Sequence, residues 1–281
     1  MTQKIDSHQH LWKFDEVQYG WIEPTWPELR RDFLPADAER EIRRAGIDGV
    51  VAVEARMCVE ETRRLLQFAA QHAFIRGVVG WAPLADPGLP GILDEFAAQP
   101  KLRGIRHVLQ GEPDPRHMLR DDFNRGIAEL TRRGLVFDIC IFERHLPQTI
   151  EFVDRHPNQV FVLDHIAKPR IRDGAMEPWR SLIRDLARRP HVCCKVSGMV
   201  TEANPKAWDE GQLWPYFDTV VQAFGAERLM FGSDWPVCLL GAGYRQWYET
   251  VVTWLDVLPA ADQARVLGGT AVDVYQLPPA A

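Results

Sequence analysis

The sequence predicts an α/β fold, a single-domain (β/α)8 or TIM barrel. Eight short strand-like runs recur along the 281 residues, and helical patterning follows them. Successive strand starts lie roughly 25–45 residues apart, the length of one strand–helix unit. Several runs are continuous Val/Ile/Leu/Phe stretches, as expected for strands buried on both faces. Eight such units match a closed barrel, with a six- or seven-strand open sheet as the alternative if one strand is misassigned.

In chain order the strand-like runs are residues 4–7, 49–55, 76–81, 102–109, 135–142, 159–164, 191–197 and 229–232. Helical patterns occupy residues 36–45, 60–72, 121–133, 179–189 and 215–224. The first repeats apolar positions on one face and meets a stop signal at Gly46. No Pro/Gly/Ser linker divides the chain, so residues 1–281 read as one domain. Residues 11–34 are long for a first strand-to-helix loop and carry Trp12, Phe14, Tyr19, Trp21, Trp26 and Phe33. A loop of that length predicts an active-site lid, the alternative being an apolar flap that only seals the barrel mouth.

With 46% hydrophobic and 26% charged residues, disorder, collagen and coiled coil are excluded. The net charge of −6 points to neither a nucleic-acid partner nor an anionic membrane surface. No apolar run reaches the ~20 residues of a membrane span. The five cysteines (Cys58, Cys140, Cys193, Cys194 and Cys238) form no C-x-x-C and read as reduced thiols of a cytoplasmic protein. Met1 is followed by polar residues and then strand-like sequence, so no signal peptide is expected. The sequence specifies no oligomeric state.

Polar residues gather at the C-terminal ends of the predicted strands, the face where barrel enzymes place their sites. Strand one ends in His8 and His10, an H-x-H pair whose side chains point the same way and can share one cation or substrate group. Strand six ends Leu163-Asp164-His165, followed by Lys168-Pro169, and strand eight runs on through Gly232-Ser233-Asp234-Trp235-Pro236. Asp234 is the candidate base; Asp164 reads equally as a residue that bonds a backbone N–H or orients His165. Other strand ends supply Glu54 and Arg56, Arg106 and His107, Asp138, Glu143 and Arg144, and Lys195 with Ser197. Buried charges need partners, so each is either a substrate contact or half of an ion pair such as Glu54 with Arg56 or Lys195. His72, His117, His145, His156 and His191 read as surface or packing residues, and Gly268-Gly269 as a helix boundary. No Walker motif, dinucleotide fingerprint or G-x-S-x-G elbow is present, which argues against a nucleotide or organic cofactor and against covalent serine hydrolysis.

The first-strand H-x-H, the strand-end His165 and the last-strand Asp234 resemble the amidohydrolase superfamily. Residues 162–169 and 231–237 look like its amidohydrolase-2, sugar-lactonase branch, and Gly104-Ile105-Arg106-His107, Phe142-Glu143-Arg144 and residues 194–198 extend the likeness over nearly the whole chain. The resemblance implies hydrolysis of an aldonolactone, with L-fuconolactone or a similar L-hexonolactone as the expected substrate. Asp234 would be general base and acid and His165 the carbonyl-polarising group, with Glu54, Arg56, Arg106, His107, Lys195 and Trp235 around the sugar. Binuclear members of the superfamily carry a bridging lysine or glutamate on strand four and a histidine on strand five; this chain has Arg106 and His107 on the former and no histidine before His145 on the latter. His8, His10, His165 and Asp234 therefore provide for one divalent cation at most (zinc or manganese), and one that is dispensable. Two alternatives stand beside lactone opening: a mononuclear zinc-dependent decarboxylase or other ester or amide hydrolase, and a non-catalytic barrel that binds sugar acids.

Overall fold

The computed structural model describes residues 3–205 and 207–278; the expectation about a leader rests on Met1 and lies outside them. Eight parallel strands form one sheet in sequential order. They are β1 (Ile5–Gln9), β2 (Gly49–Val53), β3 (Ile75–Gly80), β4 (Leu102–His107), β5 (Val136–Ile139), β6 (Phe161–Leu163), β7 (Val192–Val196) and β8 (Leu229–Phe231). Every predicted strand is present, shorter by a few residues where the run continues into a site loop. The sheet closes on itself through a parallel bridge between Gln9 and Trp235. There the His10 amide donates to the Trp235 carbonyl at 2.7 Å and the Asp234 amide to the His8 carbonyl at 2.9 Å. The Ser7 hydroxyl donates to the Phe231 carbonyl at 2.6 Å. Closure removes the open-sheet alternative, and it couples the first and last strands, which carry the histidine pair and Asp234.

Helices α1 (Pro35–Ala45), α2 (Val59–Gln71), α3 (Leu89–Phe96), α4 (Asp121–Arg133), α5 (Leu146–Asp154) and α6 (Trp179–Leu186) follow the first six strands. Then come α7 (Met199–Glu202), α8 (Glu210–Phe224), α9 (Tyr244–Leu255), α10 (Ala260–Ala264) and α11 (Thr270–Val274). The start of α1 is set by Pro35 in its first turn and by Asp37, whose carboxylate accepts the Leu34 amide at 3.1 Å. Helix α8 begins five residues before the predicted start at Pro215, because Asp209 caps it by accepting the Gln212 amide at 2.9 Å. Pro215 then sits in the second turn. Gly268 and Gly269 lie in the kink between α10 and α11, where a Cβ on Gly268 would stand 1.9 Å from the Gln3 carbonyl oxygen. Only glycine lets that turn pass so close to the start of β1.

The core has two layers. Between strands and helices lies the large apolar shell that includes Val50, Ala52, Phe123, Phe137, Phe161, Trp179, Trp247 and Trp254. Inside the barrel Ile5, Val51, Val53, Val79, Val136, Val162 and Met230 pack on one another, with Ala271, Tyr275 and Leu277 as a plug where the strands begin. All five cysteines are free, and no helix among the described residues is long and apolar enough to cross a membrane.

Candidate active site

A cavity of about 1260 Å³ opens at the C-terminal ends of the strands, and its wall includes His10, Arg56, Arg106, His165 and Asp234. The loop at residues 11–34 forms one side of it. The loop is pinned by reciprocal backbone bonds between Trp12 and Phe33 at 2.9 and 2.8 Å, and Trp12, Tyr19, Ile22, Leu29 and Phe33 are buried. Gln18, Gly20, Trp21 and Trp26 face the cavity, and the Trp21 indole donates to the Ala55 carbonyl at 2.9 Å. One segment thus seals the barrel and supplies aromatic wall.

On the cavity floor the Nε2 atoms of His8 and His10 lie 3.2 Å apart. Asp234 Oδ1 is 3.3 Å from His10 Nε2, 3.8 Å from His8 Nε2 and 3.9 Å from His165 Nε2. The proton positions follow from the partners. His10 Nδ1 faces the Val53 carbonyl at 2.9 Å, which only accepts, so the His10 proton is on Nδ1 and its Nε2 carries a lone pair. His8 Nδ1 lies 3.1 Å from the Lys195 ammonium and 3.3 Å from Asp164 Oδ1, and its Nε2 lies 3.3 Å from Arg106 Nη1, which only donates. The lone pair of His10 and the carboxylate of Asp234 face the same point, which suits a water that donates to both or a cation.

Two stretches of unusual backbone aim these groups. Asp234 has φ 58°, and His165, Ile166, Ala167 and Lys168 have φ 54°, 49°, 64° and 47°. Left-handed conformation costs about 1–2 kcal/mol for each such residue, so four in a row persist only because the surroundings hold them. The holding contacts are visible. Ile166 accepts from the buried Trp179 indole at 2.8 Å, and Ser197 Oγ is 2.8 Å from His165 Nδ1. Gly198 lies against the imidazole so closely that a Cβ there would be 2.7 Å from the ring. A Ser197 hydroxyl that donates to Nδ1 leaves the His165 proton on Nε2, facing the cavity.

Beneath the floor lies a buried charge network. Arg106 donates from Nε to Glu54 at 2.8 Å and from Nη1 to Asp164 Oδ2 at 3.2 Å, and it also bonds the Glu54 carbonyl. Lys195 lies 2.5 Å from Asp138 Oδ2 and 3.0 Å from Asp164 Oδ1. The Tyr275 hydroxyl donates to Asp138 at 2.8 Å. Burial opposes the charge on Asp164, but Lys195, His8 and Arg106 hold its carboxyl well below the usual range. Burial, with Lys195 close by, holds His8 far below the ordinary histidine value, and burial takes His165 down to about 4. Burial works against ionised Asp234 too, but His165, His10 and His8 keep it below its ordinary value. At neutral pH the site therefore holds neutral His8 and His165 beside an ionised Asp234 carboxylate.

The geometry sorts the residues singled out in the sequence. Arg56 and Arg106 reach the cavity with His10, His165 and Asp234, and His8 lies directly behind. Glu54 and Lys195 do not line it: Glu54 is taken by Arg106 rather than by Arg56 or Lys195, and Lys195 is fully buried between two aspartates. Arg56 instead lies 3.6 Å from Glu61 and bonds Gln18 of the loop. Trp235 turns away to meet Phe33 edge-on, ring centres 5.1 Å apart, and His107 turns to Glu112. Lys168, Glu202, Trp21 and Gln110 line the cavity without having been singled out as site residues. For Lys168 the signal was its place between a strand-end histidine and a proline; Tyr275, far along the chain, gave none.

A closed (β/α)8 barrel with an H-x-H on its first strand, a histidine after the sixth and an aspartate after the eighth defines a barrel built for hydrolytic or metal-assisted chemistry. The sequence profile of the Amidohydrolase family matches residues 5–277, and the chain belongs to that family. It is 42% identical to an L-fucono-1,5-lactonase of Burkholderia multivorans over 98% of this chain and 96% of that one. A second L-fucono-1,5-lactonase, from Burkholderia ambifaria, is 37% identical over 99% and 97%. The crystal structure of a zinc-bound amidohydrolase from Burkholderia multivorans superposes with a TM-score of 0.96 at 41% identity, covering 98% of this chain and 100% of that one.

Proposed function

We propose that the protein hydrolyses the ring ester of a sugar lactone, L-fucono-1,5-lactone or a closely similar L-hexonolactone, to the open-chain acid. The observation that carries this is Asp234 Oδ1 set 3.3 Å from the lone-pair nitrogen of His10 at the cavity floor, with His165 on its other side. The near full-length likeness to two L-fucono-1,5-lactonases supports it. Asp234 takes a proton from a water held between its carboxylate and His10, and the water oxygen bonds the carbonyl carbon. His165 Nε2–H donates to the carbonyl oxygen as negative charge develops there; one such donor is worth about 3–4 kcal/mol of barrier. The carbon–ring oxygen bond then breaks, and the leaving oxygen takes the proton from Asp234. Lys168, Arg56 and Gln110 in the wall are placed to bind hydroxyls, and Trp21 and Trp26 to cover the sugar face.

His8, His10 and Asp234 also meet the first requirement of a metal centre, since one donor atom from each lies within 4.8 Å of the others. A divalent cation there would supply Lewis-acid polarisation and a more acidic water. The surroundings work against tight binding. Two cations stand against His8: the Lys195 ammonium is 3.1 Å from its Nδ1 and the Arg106 guanidinium 3.3 Å from its Nε2. We expect one zinc or manganese at most in this site, held loosely, and substantial lactonase activity after its removal. The check is to strip the protein with a strong chelator, verify metal content by elemental analysis and assay it. Loss of more than ~99% of activity, restored by one equivalent of zinc or manganese, would make the cation the main source of carbonyl activation.

The substrate's sign is a separate expectation. The cavity's charges come as both signs, Arg56 and Lys168 with Glu60 and Glu202, and among the described residues no glycine-rich phosphate cradle faces it. Neutral deoxy-L-hexonolactones should turn over fastest in a pH-indicator screen. A preference for 6-phospholactones over every neutral lactone would overturn this.

A further inference from the structure

His107, Glu112 and His117 form a cluster that the proposed reaction does not use. His107 is the last residue of β4, and the other two lie at equal spacing along the segment leading to α4. His107 Nε2 is 2.6 Å from Glu112 Oε1, and His117 Nδ1 is 3.2 Å from Glu112 Oε2. The two imidazoles stack, ring centres 5.3 Å apart and planes 19° from parallel, and Phe123 meets both edge-on. The rings are thus fixed with a nitrogen of each turned to one carboxylate, and one donor atom from each of the three residues lies within 4.8 Å of the others.

We propose that His107, Glu112 and His117 form a second cation site, separate from the His8, His10 and Asp234 set, that takes one zinc-class divalent ion. Two imidazoles and a carboxylate are the donor set of a three-ligand zinc site, with the fourth position open to water. Nitrogen donors favour zinc, cobalt or nickel over magnesium or calcium. His107 Nδ1 has no partner among the described residues and can take the proton from Nε2; that gives up the bond from Nε2 to Glu112 Oε1, and the ion takes the proton's place between the two. The side chains are 10–19% exposed, enough for an ion to enter from solvent. An ion there would tie the end of β4 to the loop that carries Val108, Gln110 and Gly111 into the cavity wall.

The test is calorimetric titration of zinc into chelator-stripped protein, read as stoichiometry, on wild type, His117→Ala, Glu112→Gln and Asp234→Asn. We expect His117→Ala to bind one equivalent less than wild type and Asp234→Asn to retain the equivalent that His117→Ala loses. Glu112→Gln, which keeps the size of the side chain, should weaken that equivalent at least about tenfold, or 1.4 kcal/mol. Equal stoichiometry in wild type and His117→Ala would overturn the proposal, as would an Asp234→Asn protein that binds no zinc. If His117→Ala does not fold, Glu112→Gln decides alone: unchanged affinity of every equivalent overturns the site.

Discussion

Asp234→Asn should lower kcat for L-fucono-1,5-lactone by about 10²–10⁴-fold, the range of a lost general base, while the fold persists. The substitution is gentle everywhere except at the chemistry. Asparagine tolerates the left-handed backbone (φ 58°) that residue 234 adopts, and the backbone bond from its amide to the His8 carbonyl is unaffected. What disappears is the acceptor for the water's proton, since a carboxamide has almost no basicity. The measurement is steady-state hydrolysis corrected for the uncatalysed rate, with circular dichroism to confirm folding. A variant that keeps more than half the activity excludes Asp234 as the base.

The second large effect concerns stability. Lys195→Met should cost about 3–5 kcal/mol, because it breaks a buried ion pair by removing only one side. On the order of 10 °C in Tm should follow for a domain of this size. Lys195 is the cation shared by Asp138 and Asp164, at 2.5 and 3.0 Å, and without it two buried carboxylates are left close together. Burial pushes Asp138 up to about 6 even with Lys195 in place. A carboxyl whose folded pKa is raised contributes stability below its unfolded value of about 4, and that contribution is lost as pH rises through the folded value. Removing Lys195 raises Asp138 further, so the deficit of the variant relative to wild type should be larger near pH 8 than near pH 5. Adding Asp138→Asn should recover part of it, because the two residues are in contact and their effects are coupled. A Lys195→Met protein within about 1 kcal/mol of wild type would show that the network is not holding the barrel together.

The residues legible in the sequence and those that were not differ in a simple way. His8, His10, His165 and Asp234 sit at or just past strand ends, and in a parallel barrel every strand end of one polarity opens on the same face. Their convergence followed from chain order alone. Which charge pairs with which did not. Glu54 lies two residues from Arg56 in the chain, yet it pairs with Arg106 of β4, and Asp138 meets Tyr275 from the C-terminal plug. Those choices depend on strand register and on how deep each side chain sits. Trp235 and His107 show the same effect: a strand-end position places the backbone at the mouth, but packing against Phe33 and Glu112 decides where the side chain turns.

The sequence by itself determined the eightfold strand–helix repeat and the donor atoms at the barrel mouth. These are properties of local patterning, which a linear chain displays directly. The tertiary structure alone decided which partners face each titratable group. The proton on His10 Nδ1 is set by the Val53 carbonyl, 43 residues away in the chain. Neutral His8 and His165 beside an ionised carboxylate require burial and fixed partners, and both exist only once the barrel has closed.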